Sequence, residues 1–342
     1  MAGTGPRNRP SQRTATAAPP EAPGTGRTTT DGGPSGGLLL DSPQARFDLL
    51  LLAVAVAGIS LSGPLVAATA APALAIAFWR NAMATASLTP VVLLRGALRR
   101  ELAALGRRRL LLSAAAGATL AAHFALWLPS LSMTSVASSV ALVTTTPIWI
   151  TVLLWLRGHR PDRRTWIGTG VAFAGVVLLT GVDLSVSARA LAGDALALAG
   201  GLAAAVYMLI GNEVRRTTST TSYTFVCYSV TAGLLLVLCL ATGTDLAGYS
   251  TETWIKLLLL TATAQLLGHS LLNRVVRGLG PSVTSTAILL EAPGAALIAA
   301  VWLGQTPPWP AYPALGVILW GLALVIRAER PPRPVPPAPA AT

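Results

Sequence analysis

This sequence has little charge. Only 11% of its 342 residues are Asp, Glu, Lys or Arg, while 53% are hydrophobic. A soluble domain carries roughly a quarter charged residues. The deficit excludes a chain whose surface mostly meets water. Lysine is nearly absent, with Lys256 standing against 24 arginines. Alongside abundant alanine, that bias reads as GC-rich bacterial coding rather than chemistry. The two cysteines, Cys227 and Cys239, fall in one apolar stretch. They exclude a disulfide framework and a cysteine metal quartet, and read as small core residues. Three histidines without clustered acids make no transition-metal site. Walker loops, Gly-rich strand-to-helix turns, nucleophile elbows and Cys/His zinc spacings are missing too. Nothing calls for ATP, a cofactor or enzymatic catalysis.

What is present is hydrophobic length. Ten apolar stretches of about 20 residues, enough to cross a bilayer, fall at 49–69, 73–94, 109–128, 132–156, 165–182, 193–211, 221–242, 253–273, 280–303 and 309–327. Residues 1–45 are rich in Pro, Gly, Thr and Ser and are expected to form a disordered cytoplasmic tail. Residues 329–342 are expected to form a Pro/Ala-rich cytoplasmic tail. The first apolar stretch begins near Leu49 and is too long for the core of a secretory signal.

The net charge of +12 does not point to nucleic acid, because the basic residues sit in short loops between apolar runs. Sorted by alternate loops, 22 basic residues fall on one side and two, Arg189 and Lys256, on the other. Arg80 lies inside a span. The asymmetry places both termini in the cytoplasm and requires an even number of spans.

The chain also repeats itself. At an offset of 146, residues 123–179 and 269–325 match at 11 of 57 positions. Among them are His123/His269, Pro147/Pro293, Gly158/Gly304, Pro161/Pro307, Gly170/Gly316 and Gly175/Gly321. Each half holds five spans, and an odd number turns the second half over relative to the first. That is the inverted-repeat logic of secondary transporters.

The stretch HFALWLPSLSMTSVASSVALVTTTPIWITVLLWLRGHRPDRRTWIGTGVAFAGVVLL, from His123, resembles the core of an EamA-type repeat. The second copy runs from His269 through SVTSTAILLEAPGAALIAAVWLGQ to GVILWGLALVI. EamA proteins belong to the drug/metabolite transporter (DMT) superfamily. The resemblance covers residues 48–327. It implies an all-α polytopic membrane protein with ten transmembrane helices in two inverted five-helix repeats, 46–182 and 183–328. It also implies a central cavity and, often, export of amino acids or other metabolites. Where the family often carries Glu after the glycine ending the fourth and ninth helices, this chain has His159 and Gln305.

Several polar residues fall in expensive places. Glu291 reads as the acid inside a span, about 11 residues into the ninth helix. It must be protonated, paired or wetted there. Pro293 follows it, and Pro147 is its counterpart in the fourth helix; both are candidate kinks that free backbone carbonyls. Glu291 is a candidate proton site or ligand for a substrate ammonium, with a structural pair as the alternative. Arg80 is a candidate anchor for a substrate carboxylate or a balance to Glu291; many EamA proteins carry an arginine early in this helix. The alternative is snorkelling to the interface. Gln265, His269 and Asn273, at i, i+4 and i+8, share one face of the eighth helix. His123 is the counterpart of His269; proton relay and helix packing are its two readings, with packing preferred. Trp79, Trp127, Tyr207, Tyr223 and Tyr228 are candidate cavity aromatics. Gly168, Gly170, Gly175, Gly316 and Gly321 let the fifth and tenth helices approach closely.

The expected function is a secondary transporter exporting amino acids or similar small metabolites across the bacterial cytoplasmic (inner) membrane by alternating access. Its expected partners are a small-molecule substrate, membrane lipids, protons as a candidate coupling ion, and a second copy as a candidate homodimer; nucleic acid is not expected. An uncoupled facilitative permease is the alternative, and a lipid-handling membrane protein a more distant one. A sensor built on a transporter-like fold is a third class.

Overall fold

The structure, a computed structural model, describes residues 43–268, 271, 275 and 287–328. Every regular element among them is helical. In chain order these are α1 (Pro43–Ser60), α2 (Ser62–Ala68), α3 (Ala73–Leu94), α4 (Gly96–Ala103), α5 (Arg107–Ser130), α6 (Val136–Val143), α7 (Thr146–Leu156), α8 (Arg163–Val186), α9 (Ala188–Arg215), α10 (Thr220–Ala241) and α11 (Thr251–Leu260). A π-helical segment, Thr261–Gly268, continues α11, and α12 (Glu291–Leu303) and α13 (Ala311–Ala328) follow.

Seven of the described helical stretches are long and apolar enough to cross a membrane: Arg46–Ala68, Arg107–Ser130, Val136–Leu156, Arg163–Asp183, Ala188–Arg215, Thr220–Ala241 and Ala311–Ala328. Ten were expected from the sequence. The difference has local causes. α3 carries Arg80 and Asn81 in its middle. The eighth stretch changes from α to π winding at Thr261, and the ninth is interrupted so that α12 is short. Parts of the expected spans 253–273 and 280–303 lie outside the described residues. The loop expected at 95–109 instead contains α4, an amphipathic helix ending in Arg100, Glu101, Leu102 and Ala103.

Serine and aspartate open many of these helices. Ser135 Oγ accepts from Ser138 N, Asp162 Oδ1 from Thr165 N, Ser187 Oγ from Ala190 N and Ser219 Oγ from Ser222 N. Each caps an amide that the helix itself leaves unpaired. Glycine closes two of them. Gly158 and Gly304, equivalent at the repeat offset, have φ of +89° and +67° just past α7 and α12. That left-handed conformation is nearly free for glycine and costly for other residues. The identity across the repeat is therefore explained by backbone geometry.

Small residues take a large part of the core, with Ala55, Ala75, Ala77, Ala84, Ala116, Ala172 and Ala197 fully buried among larger side chains such as Leu128, Leu142, Leu257 and Ile318. Large apolar side chains such as Leu94, Phe173, Val237, Val301 and Trp320 point outward. This is the arrangement of helices that meet by backbone proximity while lipid solvates their bulky residues. The closest pair is α8 with α13. A Cβ on Gly175 would stand 2.6 Å from the Ile318 amide nitrogen, one on Gly168 2.7 Å from that of Val325, and one on Gly321 would collide with the Ala172 backbone. Gly170 and Gly316 were expected at the same interface, but a Cβ at either meets open space. They lie two and five residues from the contact positions Gly168 and Gly321, and an α-helix turns such positions toward another face.

Candidate functional site

α3 buries Arg80, which is 3% exposed. Its Nε donates to Gln265 Oε1 at 2.9 Å, and its guanidinium carbon stands 4.4 Å from the centroid of the Phe124 ring. Gln265 Nε2 donates in turn to Asn81 Oδ1 at 3.3 Å, and Asn81 Nδ2 to Ala77 O at 2.8 Å. One guanidinium nitrogen, Nη1, is buried with no hydrogen-bond partner. Arg80 therefore does not snorkel, and it belongs to none of the ion pairs formed among the described residues. An unpaired N–H on a buried cation is expensive. The arrangement fixes a planar cation by one edge and a ring face and leaves the other edge ready for an anion.

Gln265 reaches Arg80 from inside the π-helical segment. Such segments are rare and recur at functional sites. The winding also changes the face argument for Gln265, His269 and Asn273, because i+4 spacing on one face holds only for an α-helix. His269 and Asn273 themselves lie outside the described residues. Thr261, the first residue of the segment, turns its hydroxyl to Leu257 O at 2.8 Å and faces Met83 Sδ on α3.

Glu291 is partly buried and is the first residue of α12, following a turn at Leu289–Leu290. This corrects the position read from the sequence, in which it lay well inside a continuous helix. It feels the charge of Arg80 without forming an ion pair with it. A carboxylate in the first turn of a helix is favoured by the helix dipole. Pro293 is the third residue of the same helix, where its missing N–H removes no helical bond.

The equivalent break in the first half falls between α6 and α7. Thr144, Thr145 and Thr146 turn their hydroxyls back to Ala141 O, Leu142 O and Val143 O at 2.9, 2.6 and 3.0 Å. These hydroxyls add bonds to carbonyls of the last turn of α6, and Leu142 O also accepts from Thr145 N at 3.2 Å. Pro147 follows as the second residue of α7. The sequence reading marked the proline and missed the threonines, although three consecutive threonines before a proline were visible.

The remaining candidates scatter. The ring N–H at His123 Nδ1 donates to Gly200 O at 2.9 Å, and the ring stacks on Trp127 at 5.5 Å. His123 thus ties α5 to α9. Trp79 faces away from Arg80: its indole N–H donates to Leu246 O at 2.9 Å and its ring meets Trp254 edge-on at 4.9 Å. Tyr207 is packed between helices within electrostatic reach of Tyr223, Tyr228 and Cys227. Tyr228 adjoins Arg80 and belongs to its surroundings. The expectation of one acid inside the spans is overturned by Asp183 and Asp194, both buried. Asp194 is the second residue of the expected stretch 193–211, and Asp183 falls one residue past 165–182. Cys227 and Cys239 are free and buried. Among the described residues no group of three or more His, Cys, Asp or Glu is placed to hold a metal ion.

The model of the EamA-like transporter family matches residues 47–181 and again 191–327. The chain belongs to the EamA-like transporter family. It carries two copies of the family's repeat, consistent with membership of the DMT superfamily, and is a membrane transporter of small molecules by family. A crystal structure described only as that of a protein superposes with a TM-score of 0.57 at 18% identity, over 83% of this chain and 99% of that one. That likeness concerns the fold alone. No curated protein matches significantly.

Proposed function

We propose that this EamA-family chain is a secondary transporter that exports amino acids or similar small metabolites across the bacterial inner membrane by alternating access. In this reading ten helices form two inverted repeats, 46–182 and 183–328, with both termini cytoplasmic. The basic-residue asymmetry and the odd number of spans in each half support that topology. The observation that carries the substrate class is Arg80, a buried guanidinium with one nitrogen unpartnered beside Phe124 and Gln265. It suits a carboxylate. Glu291, at the start of a half-helix and within electrostatic range of Arg80, suits a substrate ammonium or a proton. The paired breaks before Pro147 and Pro293 support a site built on discontinuous helices.

A thermal-shift screen of the purified protein against amino acids, nucleosides and organic cations tests the substrate class. Stabilisation by carboxylate-bearing amino acids, lost in Arg80→Gln, is expected. Stabilisation by cations alone would overturn the reading. Proton coupling is tested by counterflow into liposomes at several pH values. Glu291→Gln is expected to remove the pH dependence, and an unaltered pH dependence would reject Glu291 as the coupling group.

A further inference from the structure

Where α8 passes into α9, the fold buries two carboxyl groups that the substrate site does not use. Asp194, on α9, is 0% exposed, and neither of its oxygens has a hydrogen-bond donor. Asp183, on α8, is also buried and acts on Asp194 electrostatically. The nearby hydroxyl of Thr134 is turned to Asp183 Oδ2 at 3.4 Å and also acts on Asp194. Arg189, the cation closest in sequence, sends its guanidinium to Ser132 O at 3.2 Å instead.

No cation on the other elements packed on α9 acts on Asp194: Arg107, Arg108 and Arg109 stand at the start of α5, where Arg108 pairs with Glu213 near the far end of α9. α5 brings His123, which is bonded at Gly200, further along α9. α6 and α7 carry no titratable side chain within their ranges. α10 carries Tyr223, Cys227, Tyr228 and Cys239, and none of these acts on Asp194. Asp48 gives the contrast. It lies 146 residues before Asp194, at the same offset as the other repeat identities, and it is also buried, but it receives Gln44 Nε2 at 3.4 Å. Two neighbouring carboxylates, one of them without a donor and out of water, cannot both stay ionised at tolerable cost.

We propose that Asp183 and Asp194 form a proton-binding site, in which one proton from water is held on Asp194 and donated to the Asp183 carboxylate. Release returns that proton to water and leaves two facing carboxylates, which drives the α8–α9 turn apart. The site is separate from Arg80 and Glu291, so it stands or falls independently of the substrate reading.

The test is infrared difference spectroscopy of the full-length protein in lipid bilayers, stepped in pH. Aspartate labelled with ¹³C at the side-chain carboxyl separates these groups from glutamates. A labelled protonated-carboxyl C=O band is expected near neutral pH, lost in Asp194→Asn and retained in Glu291→Gln. Asparagine has the shape of the protonated acid and can donate the same hydrogen bond, so this variant is expected to keep the wild-type thermal midpoint. Asp183→Asn provides a second readout, because removing the acceptor shifts the remaining Asp194 band. A labelled band that persists unchanged in both variants, or its absence from the wild type, would overturn the proposal. So would a sodium-dependent carboxylate signal at Asp194.

Discussion

Arg80 and Gln265 join the two repeats through one hydrogen bond, Nε to Oε1 at 2.9 Å. Gln265 can make this bond and also donate to Asn81 only as a neutral amide, since it accepts with oxygen and donates with nitrogen. Gln265→Leu is expected to orphan both Arg80 Nε and Asn81 Oδ1 and to destabilise the protein by about 1–3 kcal/mol. Gln265→Glu is expected to fold, to pair with Arg80 and to lose substrate binding, because the cation is then neutralised within the protein. Thermal unfolding and ligand titration of the two variants separate these outcomes.

The threonine run before Pro147 makes a second prediction. Thr145 is buried and returns its hydroxyl to Leu142 O at 2.6 Å. Thr145→Val keeps the shape and removes the hydroxyl donor, leaving Leu142 O with the longer bond from Thr145 N at 3.2 Å alone. A loss of about 1 kcal/mol in unfolding free energy is expected, whereas Thr145→Ser is expected to stay close to wild type. Equal stability of the valine and serine variants would mean the hydroxyl is not what satisfies the break.

The glycines of α8 and α13 divide by face. Gly321→Ala drives a methyl group into the Ala172 backbone and is expected to cost about 1–3 kcal/mol or more through overpacking. Gly170→Ala and Gly316→Ala add a methyl group to open space. Both are expected to be neutral or to stabilise by up to about 1 kcal/mol, the helix cost of glycine relative to alanine. Denaturation midpoints of the three variants check the ordering.

Glu101 carries a pH prediction outside the spans. On α4 it accepts from Ser219 N, Ser219 Oγ and Ser222 Oγ at 2.7, 2.5 and 2.7 Å, holding the start of α10. Partial desolvation raises its pKa, but the bonds from Ser219 and Ser222 and the charge of Arg109 outweigh this and hold it below the usual carboxylate range. A depressed folded value contributes stability above the unfolded value and loses it as pH falls through the folded one. The stability difference between wild type and Glu101→Gln is therefore expected to be largest near neutral pH and to vanish in acid. A difference independent of pH would assign the effect to packing.

Hydrophobic bulk and the repeat offset were legible because they are properties of many residues at once. The family followed from the same residues. What one sequence could not give was the local winding. Gln265 sits on π turns and bonds Arg80, 185 positions away in the chain. The breaks behaved similarly: Pro147 and Pro293 marked the region, but each interruption begins just before its proline, where bonding rather than composition decides. Asp194 was missed for a simpler reason. It lies at the expected end of a span, and only the packing of Met133 and Thr134 against Gly193 of α9 shows that end enclosed. Trp79, adjacent to Arg80 in sequence, lies on a different face of α3, where it meets Leu246 and Trp254.

The central claim is that Arg80 holds the anionic group of a transported substrate. The most direct measurement is counterflow of a labelled amino acid into liposomes bearing wild type, Arg80→Lys or Arg80→Gln, at matched protein content and fold. Lysine keeps the charge and loses the planar fork. The account predicts flux in the wild type, a reduction of at least about tenfold in the lysine variant, the equivalent of 1.4 kcal/mol, and none in the glutamine variant. Wild-type flux from Arg80→Gln with unchanged substrate affinity would contradict it.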